Sequence, residues 1–366
     1  MSSAVCRWGI LGTAGIARKN WHAMQLADKA ELSAVASRRV DSAARFIREC
    51  QSEAPFEVAP EALGSYDALL DRDDIDAVYI PLPTGTRKEW ILKAARAGKH
   101  VLAEKPCAIH ADDLREILEV CEANQVQYMD GVMFMHSDRL HAIRNILDDG
   151  ESIGEIRRMA SHHTFAADQT FLDENIRLNS DLEPQGALGD LGWYSIRFFL
   201  WAMNWELPKQ VSGRCLTETQ RADSARSIPL EFSAELLFES CSASLYCSFI
   251  TENQQWANIG GAKGFLYVKD FVLPFGGNEL TFEVTQAILN IAGCQFNMEH
   301  HLNHFAVDES ANNAVDAQET KMFQHFSSLV TEKQREATWG EYSLKTQRVM
   351  DACLRSAANN GQLETP

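Results

Sequence analysis

A lysine that follows a short apolar run is the first residue of this sequence whose position suggests chemistry. In the stretch HVLAEKPCAIH, residues 100–110, an apolar run leads into Glu104, Lys105 and Pro106. Proline disfavours the helical conformation for the residue before it, so the backbone at Lys105 is held extended. If the run is a strand of a parallel sheet, Lys105 lies beyond its carboxyl end, where such sheets bind ligands. We therefore expect a fixed ammonium group that faces a ligand cleft, with Glu104 pairing either with that ammonium or with a ribose hydroxyl.

The elements around this lysine have the pattern of βαβ units. From Arg7 to Met135, short apolar runs alternate with amphipathic segments of helical period, which is typical of a parallel sheet covered by helices. Gly98 follows one of these helical segments, a common place for a helix to stop. The predicted strands are residues 6–11, 31–36, 76–81, 100–103 and 126–134.

The turn after the first predicted strand has the order that a dinucleotide fold requires. In RWGILGTAGIARKN a buried strand enters a tight turn and then a helix, whose free N–H groups would face an anion. Gly12, Ala14 and Ala17 align with the three glycine positions of the usual fingerprint, and Gly15 lies beside the first alanine. An ordinary strand–helix turn is the alternative. The dinucleotide interpretation predicts cofactor contacts from Gly12, Thr13, Ala14, Gly15 and Ile16.

The end of the second predicted strand indicates which dinucleotide would bind. ELSAVAS ends in Ser37, Arg38 and Arg39, where folds that bind NAD usually carry an acidic residue for the ribose 2′-hydroxyl. A hydroxyl and a guanidinium suit a 2′-phosphate, since arginine forms paired charge-assisted hydrogen bonds to phosphate. The sequence therefore predicts NADP, with two solvated arginines at a helix start as the alternative.

A second domain of different architecture follows Met135. A helix near residues 138–148 precedes the runs EFSAELLF and ASLYCSFI, whose period of two predicts antiparallel strands with one solvated face. AVDAQETKMFQHFSSLV and YSLKTQRVMDACLRSAANNG, near the C-terminus, have helical period. The predicted boundaries are 1–134 for an NADP-binding Rossmann domain and 135–366 for a substrate-binding and dimerisation domain, with the C-terminal helices packing back on the first.

Five pieces of the chain, in order, resemble the Gfo/Idh/MocA oxidoreductases, the family of glucose–fructose oxidoreductase. They are GILGTAGIA, VASRR, YIPLPT, AEKP and GALGDLGWY, which together extend over essentially the whole chain. The resemblance implies a Rossmann domain followed by an α/β domain with a large, open, mostly antiparallel sheet whose exposed face commonly forms a dimer. Cofactor contacts are further implied for Pro81, Leu82, Pro83, Glu104 and Lys105.

The same resemblance assigns the catalytic positions. The family's motif lysine maps onto Lys105, and its segment of glycines, aspartate and then histidine or tyrosine maps onto Gly186, Gly189, Asp190 and Tyr194. Asp190 and Tyr194 are four residues apart, which on an α-helix places them on one face. Gly189 and Gly192 would clear room there for a nicotinamide ring or substrate. A buried tyrosine bonded to a structural aspartate is the alternative.

Tyrosine at position 194 resembles the branch that contains glucose–fructose oxidoreductase and dimeric dihydrodiol dehydrogenase, both of which act with NADP. Within that branch NIRLNSD makes Arg177 a candidate for anchoring the substrate or the nicotinamide end. His136 either hydrogen-bonds the substrate or caps the following helix. Two positions depart from common family patterns, namely Arg87, where a histidine is usual, and Met135, where a basic residue is frequent.

Together these residues predict an NADP-dependent oxidoreductase acting on a hydroxyl or carbonyl of a sugar, polyol or dihydrodiol. NADPH supplies the hydride. An ammonium within about 4–6 Å lowers the pKa of a phenol, so Lys105 would assist Tyr194 as proton donor. The same charge would stabilise the developing alkoxide directly, and Asp190 would orient either side chain.

Two other function classes compete with this one. A cofactor-sensing regulator would keep the dinucleotide without catalysis, although retention of Lys105 and Tyr194 disfavours it. A metal enzyme is suggested by two histidine groups, but adjacent histidines on a strand point to opposite faces, and no Cys or acidic partner completes a ligand set, so no metal is predicted. The histidines are His162, His163, His300, His301 and His304.

Bulk composition restricts the partners. The 366 residues carry 34 basic and 51 acidic side chains, a formal charge of −17 that repels nucleic acid and anionic lipid. Nine cysteines without a CxxC pair indicate buried reduced thiols in a reducing compartment. No membrane-length apolar segment and no signal peptide is evident. We expect a cytoplasmic homodimer or higher homo-oligomer, associating through the second sheet, whose other partner is a small molecule.

Overall fold

The computed structural model describes residues 5–366 and divides them into two compact units. The first unit contains the chain as far as His136, together with Asn179–Pro184 and Asn312–Gln347. The second unit contains Ser137–Leu178, Gln185–Ala311 and Arg348–Pro366. The fold class predicted from the sequence, a Rossmann domain plus an α/β domain with a large and mostly antiparallel sheet, is confirmed.

The first unit is built on a parallel sheet of six strands in the order β3-β2-β1-β4-β5-β6. This is the order of a doubly wound dinucleotide-binding sheet, in which the strand order reverses between β1 and β4. Every pairing in it is parallel, so the carboxyl ends of the strands share one edge. The strands are β1 (Cys6–Leu11), β2 (Ala30–Ala36), β3 (Glu61–Leu63), β4 (Ala77–Ile80), β5 (His100–Ala103) and β6 (Tyr128–Asp130).

Helices cover this sheet because each buries an apolar stripe on it. Trp8 of β1, fully buried, packs against Phe323 and Phe326 at ring-centroid distances of 5.3 and 5.0 Å. Its indole N–H donates to Ser327 Oγ at 3.0 Å. A helix from near the C-terminus therefore completes the core of the first unit. The helices are α1 (Gly15–Leu26), α2 (Val40–Glu53), α3 (Tyr66–Leu70), α4 (Thr84–Arg96), α5 (Ala111–Ala123) and α9 (Gln318–Thr331).

The second unit is built on an eight-stranded sheet in the order β14-β13-β12-β11-β7-β10-β9-β8. Only the β7–β10 pair is parallel. The strands are β7 (Ile156–Ala166), β8 (Gln210–Thr219), β9 (Ile228–Leu237), β10 (Ser242–Ser248), β11 (Ile250–Gly261), β12 (Phe265–Val268), β13 (Glu279–Ala292) and β14 (Gln295–Asp308). The remaining helices are α6 (Asp138–Asp148), α7 (Gln169–Glu174), α8 (Trp193–Ala202) and α10 (Thr338–Ala358).

One face of this sheet is covered and the other is open. On β7, Met159, Ser161 and His163 are buried, and Ser161 Oγ lies 3.0 Å from Ser195 Oγ on α8. The alternate residue His162 faces the other way, where it is half-buried against Trp256. The period of two in the sequence therefore reports a sheet with one face in the core.

Two expectations about local structure require correction. The strand expected over 126–134 is limited to Tyr128–Asp130, after which Met133–His136 forms a 3₁₀ turn. Of the nine cysteines expected to be buried, Cys294 is exposed and Cys215 is half-buried.

Among residues 5–366, no helix is both long enough and apolar enough to span a bilayer.

Candidate active site

The phosphate turn of the first unit has a backbone that only glycine adopts easily. Gly12 has φ +112°, and a Cβ there would lie 2.9 Å from Leu82 Cδ2. Its N–H donates to Ala36 O at 2.9 Å, which fixes the end of β1 beside the end of β2. Glycine at position 12 therefore allows both the positive φ of the turn and the close approach of the loop that follows β4.

The start of α1 fits an anionic group. The helix begins at Gly15, preceded by Ala14, which has no side chain to cap the first N–H groups. A Cβ on Gly15 would meet no atom within 4 Å, and the neighbouring Ile16 is 40% exposed. Uncapped N–H groups at a helix start can bind an anion, so these residues fit a dinucleotide pyrophosphate, and their contact with it stays a prediction.

Arginines lie at the end of β2, as the sequence indicated. Ser37 is buried and its N–H donates to Leu63 O at 3.0 Å, whereas Arg38 and Arg39 are exposed. Sequence reasoning missed Tyr66, whose hydroxyl lies 4.0 Å from the Cβ position of Gly12. Burial raises the pKa of Tyr66, and the charge of Arg38 opposes that rise. A guanidinium and a phenol thus lie together beside the phosphate turn.

The carboxylate of Glu104 is turned into the core of the first unit. It is 8% exposed and accepts hydrogen bonds from Tyr79 Oη at 2.6 Å and from Asn20 Nδ2 at 3.4 Å. Its other oxygen accepts from the backbone N–H of Lys105 at 3.3 Å. Burial, followed by the neighbouring charge of Glu104, raises the pKa of Tyr79 well above its usual value. These contacts show Glu104 fixing the backbone at Lys105, a role that the sequence did not suggest.

Lys105 itself is half-buried, and the Lys105–Pro106 peptide bond is cis. It follows β5, whose end is fixed beside β4 by a hydrogen bond from Glu104 N to Ile80 O at 3.2 Å. The loops that carry Gly12, Arg38 and Lys105 therefore all leave the same edge of one parallel sheet. This is the edge at which doubly wound sheets bind their ligands.

The loop after β4 is held by a short segment that lies far away in sequence. Gly85 N donates to Leu182 O at 2.9 Å, and Glu183 accepts from Thr84 N at 3.1 Å and from Thr84 Oγ1 at 2.6 Å. The carboxylate of Glu183 therefore caps α4, the helix that follows Pro83. We call Asn179–Pro184 the strap, and sequence reasoning did not identify it.

In the second unit, the predicted helix over LGDLGWYSIRFFLW begins with a π-helical turn. Residues Leu188–Gly192 form this turn, and α8 continues from Trp193. A π turn is wider than an α turn, but four residues along it still complete nearly one revolution, so a shared face for Asp190 and Tyr194 stays a prediction. Asp190 Oδ2 accepts from Arg177 Nε at 2.8 Å. The candidate substrate anchor and the candidate catalytic aspartate thus form an ion pair.

Tyr194 is buried at the start of α8. Its ring lies 5.4 Å from that of His163 on β7, a neighbour that the sequence did not indicate. A Cβ on Gly192 would lie 2.6 Å from Leu188 Cδ1 and 3.4 Å from Cys247 Sγ. Gly192 therefore makes room for the core of the second unit, which corrects the expectation that it clears space for a ring of the cofactor or substrate.

His136 lies in an aromatic cluster of the first unit. Its ring stacks on Trp339 at 4.7 Å with an interplanar angle of 13°, and His325 lies 5.5 Å away. The hypothesis that His136 caps the next helix is wrong, because Ser137 occupies the N-cap of α6 and accepts from Arg139 N at 3.2 Å. A substrate contact by His136 stays a prediction.

The histidines considered as metal ligands differ in burial and lie on different strands or on opposite faces of one strand. His163 is buried beside Tyr194, His162 is half-buried on the opposite face of β7, and His304 is exposed on β14. Burial lowers the pKa of His162, while a hydrogen bond with Gln254 opposes that shift. Within residues 5–366, no group of three His, Cys, Asp or Glu side chains has the arrangement of a metal site.

Two family models match the two parts of the chain in order. Residues 6–132 match a model described as an oxidoreductase family with an NAD-binding Rossmann fold. Residues 140–267 match the GFO/IDH/MocA C-terminal domain. The chain belongs to the Gfo/Idh/MocA oxidoreductase family.

Two relatives with known names show how far the sequence similarity extends. A dTDP-3,4-didehydro-2,6-dideoxy-α-D-glucose 3-reductase of Actinomadura kijaniata is 40% identical over 192 residues, 52% of this chain and 54% of that protein. The match thus extends over about half the length of that relative. A trans-1,2-dihydrobenzene-1,2-diol dehydrogenase of Xenopus laevis is 25% identical over 307 residues, 80% of this chain and 87% of that protein.

A solved structure extends the similarity to nearly the whole chain. A 3-ketoreductase from Actinomadura kijaniata, crystallised with NADP and TDP-benzene, superimposes with a TM-score of 0.79 at 27% identity. The superposition covers 96% of this chain and 98% of that one. The similarity to a dihydrodiol dehydrogenase agrees with the family branch that Tyr194 indicated.

Proposed function

We propose that this protein is an NADP-dependent oxidoreductase that transfers a hydride between nicotinamide and a hydroxyl or carbonyl carbon of a sugar, polyol or dihydrodiol. One observation carries the proposal: the phosphate turn, the arginines after β2 and the lysine after β5 all leave one edge of a dinucleotide-binding sheet. The relatives named above, a sugar 3-reductase and a dihydrodiol dehydrogenase, support the substrate class.

The cofactor assignment depends on charge at the end of β2. Arg38 is exposed beside the phosphate turn, and Ser37 adds a hydroxyl. A dianionic 2′-phosphate gains charge-assisted hydrogen bonds from a guanidinium there, whereas a ribose hydroxyl gains little. The NADP present in the related 3-ketoreductase structure agrees with this choice. When bound, the nicotinamide would supply or accept the hydride.

The chain's own residues would manage the proton and the charge of the reacting oxygen. Lys105 carries a fixed positive charge, which stabilises a developing alkoxide. Tyr194 offers a phenol as proton donor, and a nearby cation would lower the pKa of that phenol. Because Asp190 accepts a hydrogen bond from Arg177, we propose that this pair orients the π turn that leads to Tyr194.

We also propose that the open face of the second sheet binds a second copy of this chain. In the β13–β14 hairpin, Leu289 is opposite Met298 and Ile291 is opposite Phe296, so the four side chains share one face. They are 53, 66, 59 and 68% exposed, respectively. Large apolar side chains that are contiguous and exposed mark an interface.

The oligomer is tested by light scattering of the parent and of Phe296→Asp. The variant is expected to be monomeric at concentrations where the parent is dimeric, because a charge in the shared apolar face would be buried unpaired. Asn297→Asp, on the opposite face of the same strand, is the matched control and should leave the mass unchanged. A monomeric parent would contradict the proposal.

The enzymatic proposal is tested by incubating the protein with NADP⁺ and a panel of sugars, polyols and dihydrodiols, and by following NADPH formation. Turnover of at least one class is expected, with Lys105→Met reducing it strongly and leaving NADPH binding intact. Lys333→Met, on an exposed turn, is the control. Cofactor binding without turnover across the whole panel would support the sensor interpretation instead.

A further inference from the structure

We propose that Arg87 is the positioning residue for Lys105, holding the backbone on both sides of the lysine with one guanidinium. The inference rests on the proposed role of Lys105 and adds a residue to it. At position 87 the sequence departs from the common family pattern, in which a histidine is usual. The structure places Arg87 on α4, with its side chain inside the first unit.

The hydrogen bonds of Arg87 converge on two loops. Its Nη1 donates to Glu104 O at 2.7 Å and also to Pro106 O. Its Nε and Nη2 both donate to Leu82 O, at 2.8 and 2.5 Å. The guanidinium is thus anchored on the loop after β4 and reaches the loop after β5. The two carbonyls that it holds there belong to the residues immediately before and after Lys105.

The backbone N–H of Lys105 is fixed from the other side. Lys105 N donates to the carboxylate of Glu104, which is itself held by Tyr79 and Asn20. The peptide unit before Lys105 and the carbonyl of Pro106 are therefore both restrained, which limits movement of the backbone that carries the lysine side chain. This is the arrangement needed to aim an ammonium group, because a displacement of about 1 Å can cost about 100-fold in rate.

The chemistry of Arg87 argues against a role in packing alone. The side chain is 2% exposed, and a buried cation carries a large desolvation penalty. Its hydrogen bonds go to backbone carbonyls, so an apolar side chain of similar volume would fill the same space without that penalty. A planar fork of five N–H donors can hold three carbonyls on two loops at once, which the ammonium group of a lysine cannot reproduce.

The test compares Arg87→Lys and Arg87→Met with the parent protein. Both variants are expected to bind NADPH within about fivefold of the parent and to lose about 100-fold in kcat, with little change in KM. The primary isotope effect with 4-deuterated NADPH should rise as chemistry becomes rate-limiting. Arg96→Lys, on an exposed position of the same helix, is the control. Parental kcat in both Arg87 variants would overturn the proposal.

A double-mutant cycle separates positioning from general structural damage. If Arg87 acts through Lys105, adding Arg87→Lys to Lys105→Met should reduce the residual kcat by less than about twofold, because coupled residues are not additive. A second full loss of about 100-fold in that background would show that Arg87 acts independently of the lysine, and the proposal would fail.

A measurement without substrate keeps the proposal testable even if no activity is found. Acetylation of the folded protein by acetic anhydride, followed by mass spectrometry, gives the rate at Lys105 relative to the exposed Lys333. This ratio should change by at least about threefold in Arg87→Lys, because the backbone that carries the lysine side chain is displaced. An inactive parent with such a change would refute the enzymatic proposal alone, whereas an unchanged ratio would refute the role of Arg87. If Arg87→Met does not fold, Arg87→Lys carries both measurements.

Discussion

Replacing Gly85 with alanine is the sharpest test of how the strap is held. A Cβ at this position would lie 2.0 Å from the carbonyl oxygen of Asp181, a distance that no pair of atoms tolerates without movement. The oxygen of Asp181 belongs to the backbone, so no side chain can rotate away from the added Cβ. We expect Gly85→Ala to displace the strap from the start of α4.

The magnitude follows from three hydrogen bonds. Displacement breaks the bond from Gly85 N to Leu182 O and the two bonds that Thr84 donates to Glu183. A neutral hydrogen bond contributes about 1 kcal/mol and one to a carboxylate about 1.5–3 kcal/mol. Alanine returns about 1 kcal/mol of helix propensity. The net loss of unfolding free energy is therefore about 3–6 kcal/mol, or less if the strap reattaches elsewhere.

Two measurements report this loss. Urea denaturation of the cofactor-free protein gives the change in unfolding free energy, and amide hydrogen exchange reports local release of the strap. The backbone amide of residue 85 should exchange about 100-fold faster in the variant than in the parent, because its hydrogen bond to Leu182 O is lost. Limited proteolysis should cut the variant within Asn179–Pro184 before it cuts elsewhere.

Gly15→Ala is a matched control, since Gly15 also lies in the first turn of a helix. Its Cβ would meet nothing within 4 Å, so the same substitution should stabilise the cofactor-free protein by about 0.5–1 kcal/mol. Equal stability of Gly85→Ala and the parent, with the Gly85 amide still protected, would refute the description of the strap contact.

Three further predictions follow from individual side chains. Arg38→Ala should weaken NADPH binding about 10- to 100-fold in calorimetry while leaving NADH binding unchanged, because only the 2′-phosphate uses the guanidinium. Arg139 and Asp270 form an ion pair at 2.6 Å, and both side chains are almost fully buried. Arg139→Met should lower the unfolding free energy by about 3–5 kcal/mol, because the buried charge of Asp270 would lose its partner. Burial lowers the pKa of His100, whose Nδ1 accepts from Gln127 N at 2.9 Å, so the folded state holds the neutral ring. The unfolded chain therefore binds the proton more readily than the folded protein does. The contribution of His100 to the free energy of unfolding is complete above about pH 6.5 and is lost as the pH falls below that value. This loss of stability at low pH should be smaller in His100→Gln.

The first two predictions have controls on exposed positions. Arg48→Ala, on the outer face of α2, should leave the NADPH preference unchanged. Arg157→Met, in an exposed ion pair, should change stability by about 0–1 kcal/mol. Equal affinity of the parent for NADPH and NADH would contradict the 2′-phosphate assignment. If the stability of His100→Gln depends on pH as the stability of the parent does, the prediction for His100 is wrong.

The part of the fold that the sequence predicted is the part governed by periodicity and by glycine. The first strand, the phosphate turn and α1 were placed correctly because a buried run, Gly12 and a helical period leave few alternatives. Gly98 has φ +72° directly after α4, as a helix stop requires. The alternation in β9 and β10 likewise predicted a sheet with one covered face.

The site was less predictable because its contacts involve backbone groups and distant segments. The acceptors of Arg87 are carbonyls, which no residue pattern encodes. Nothing in the polar letters of Asn179–Pro184 shows that they dock on α4. The π turn that holds Asp190 has the same apolar spacing in sequence as an ordinary helix. The pairing of Asp190 with Arg177 depends on how the chain returns after the strap, and sequence spacing does not reveal that.

The central proposal is that Lys105 and Tyr194 act on the oxygen of the carbon that exchanges hydride with nicotinamide. It is tested most directly by single-turnover transfer of deuterium from 4-deuterated NADPH to the oxidised form of the best substrate, followed by mass spectrometry. The parent should place deuterium on that carbon, and Lys105→Met and Tyr194→Phe, each still binding NADPH, should do so at least about 100-fold more slowly. Transfer at the parental rate in both variants would contradict the claim.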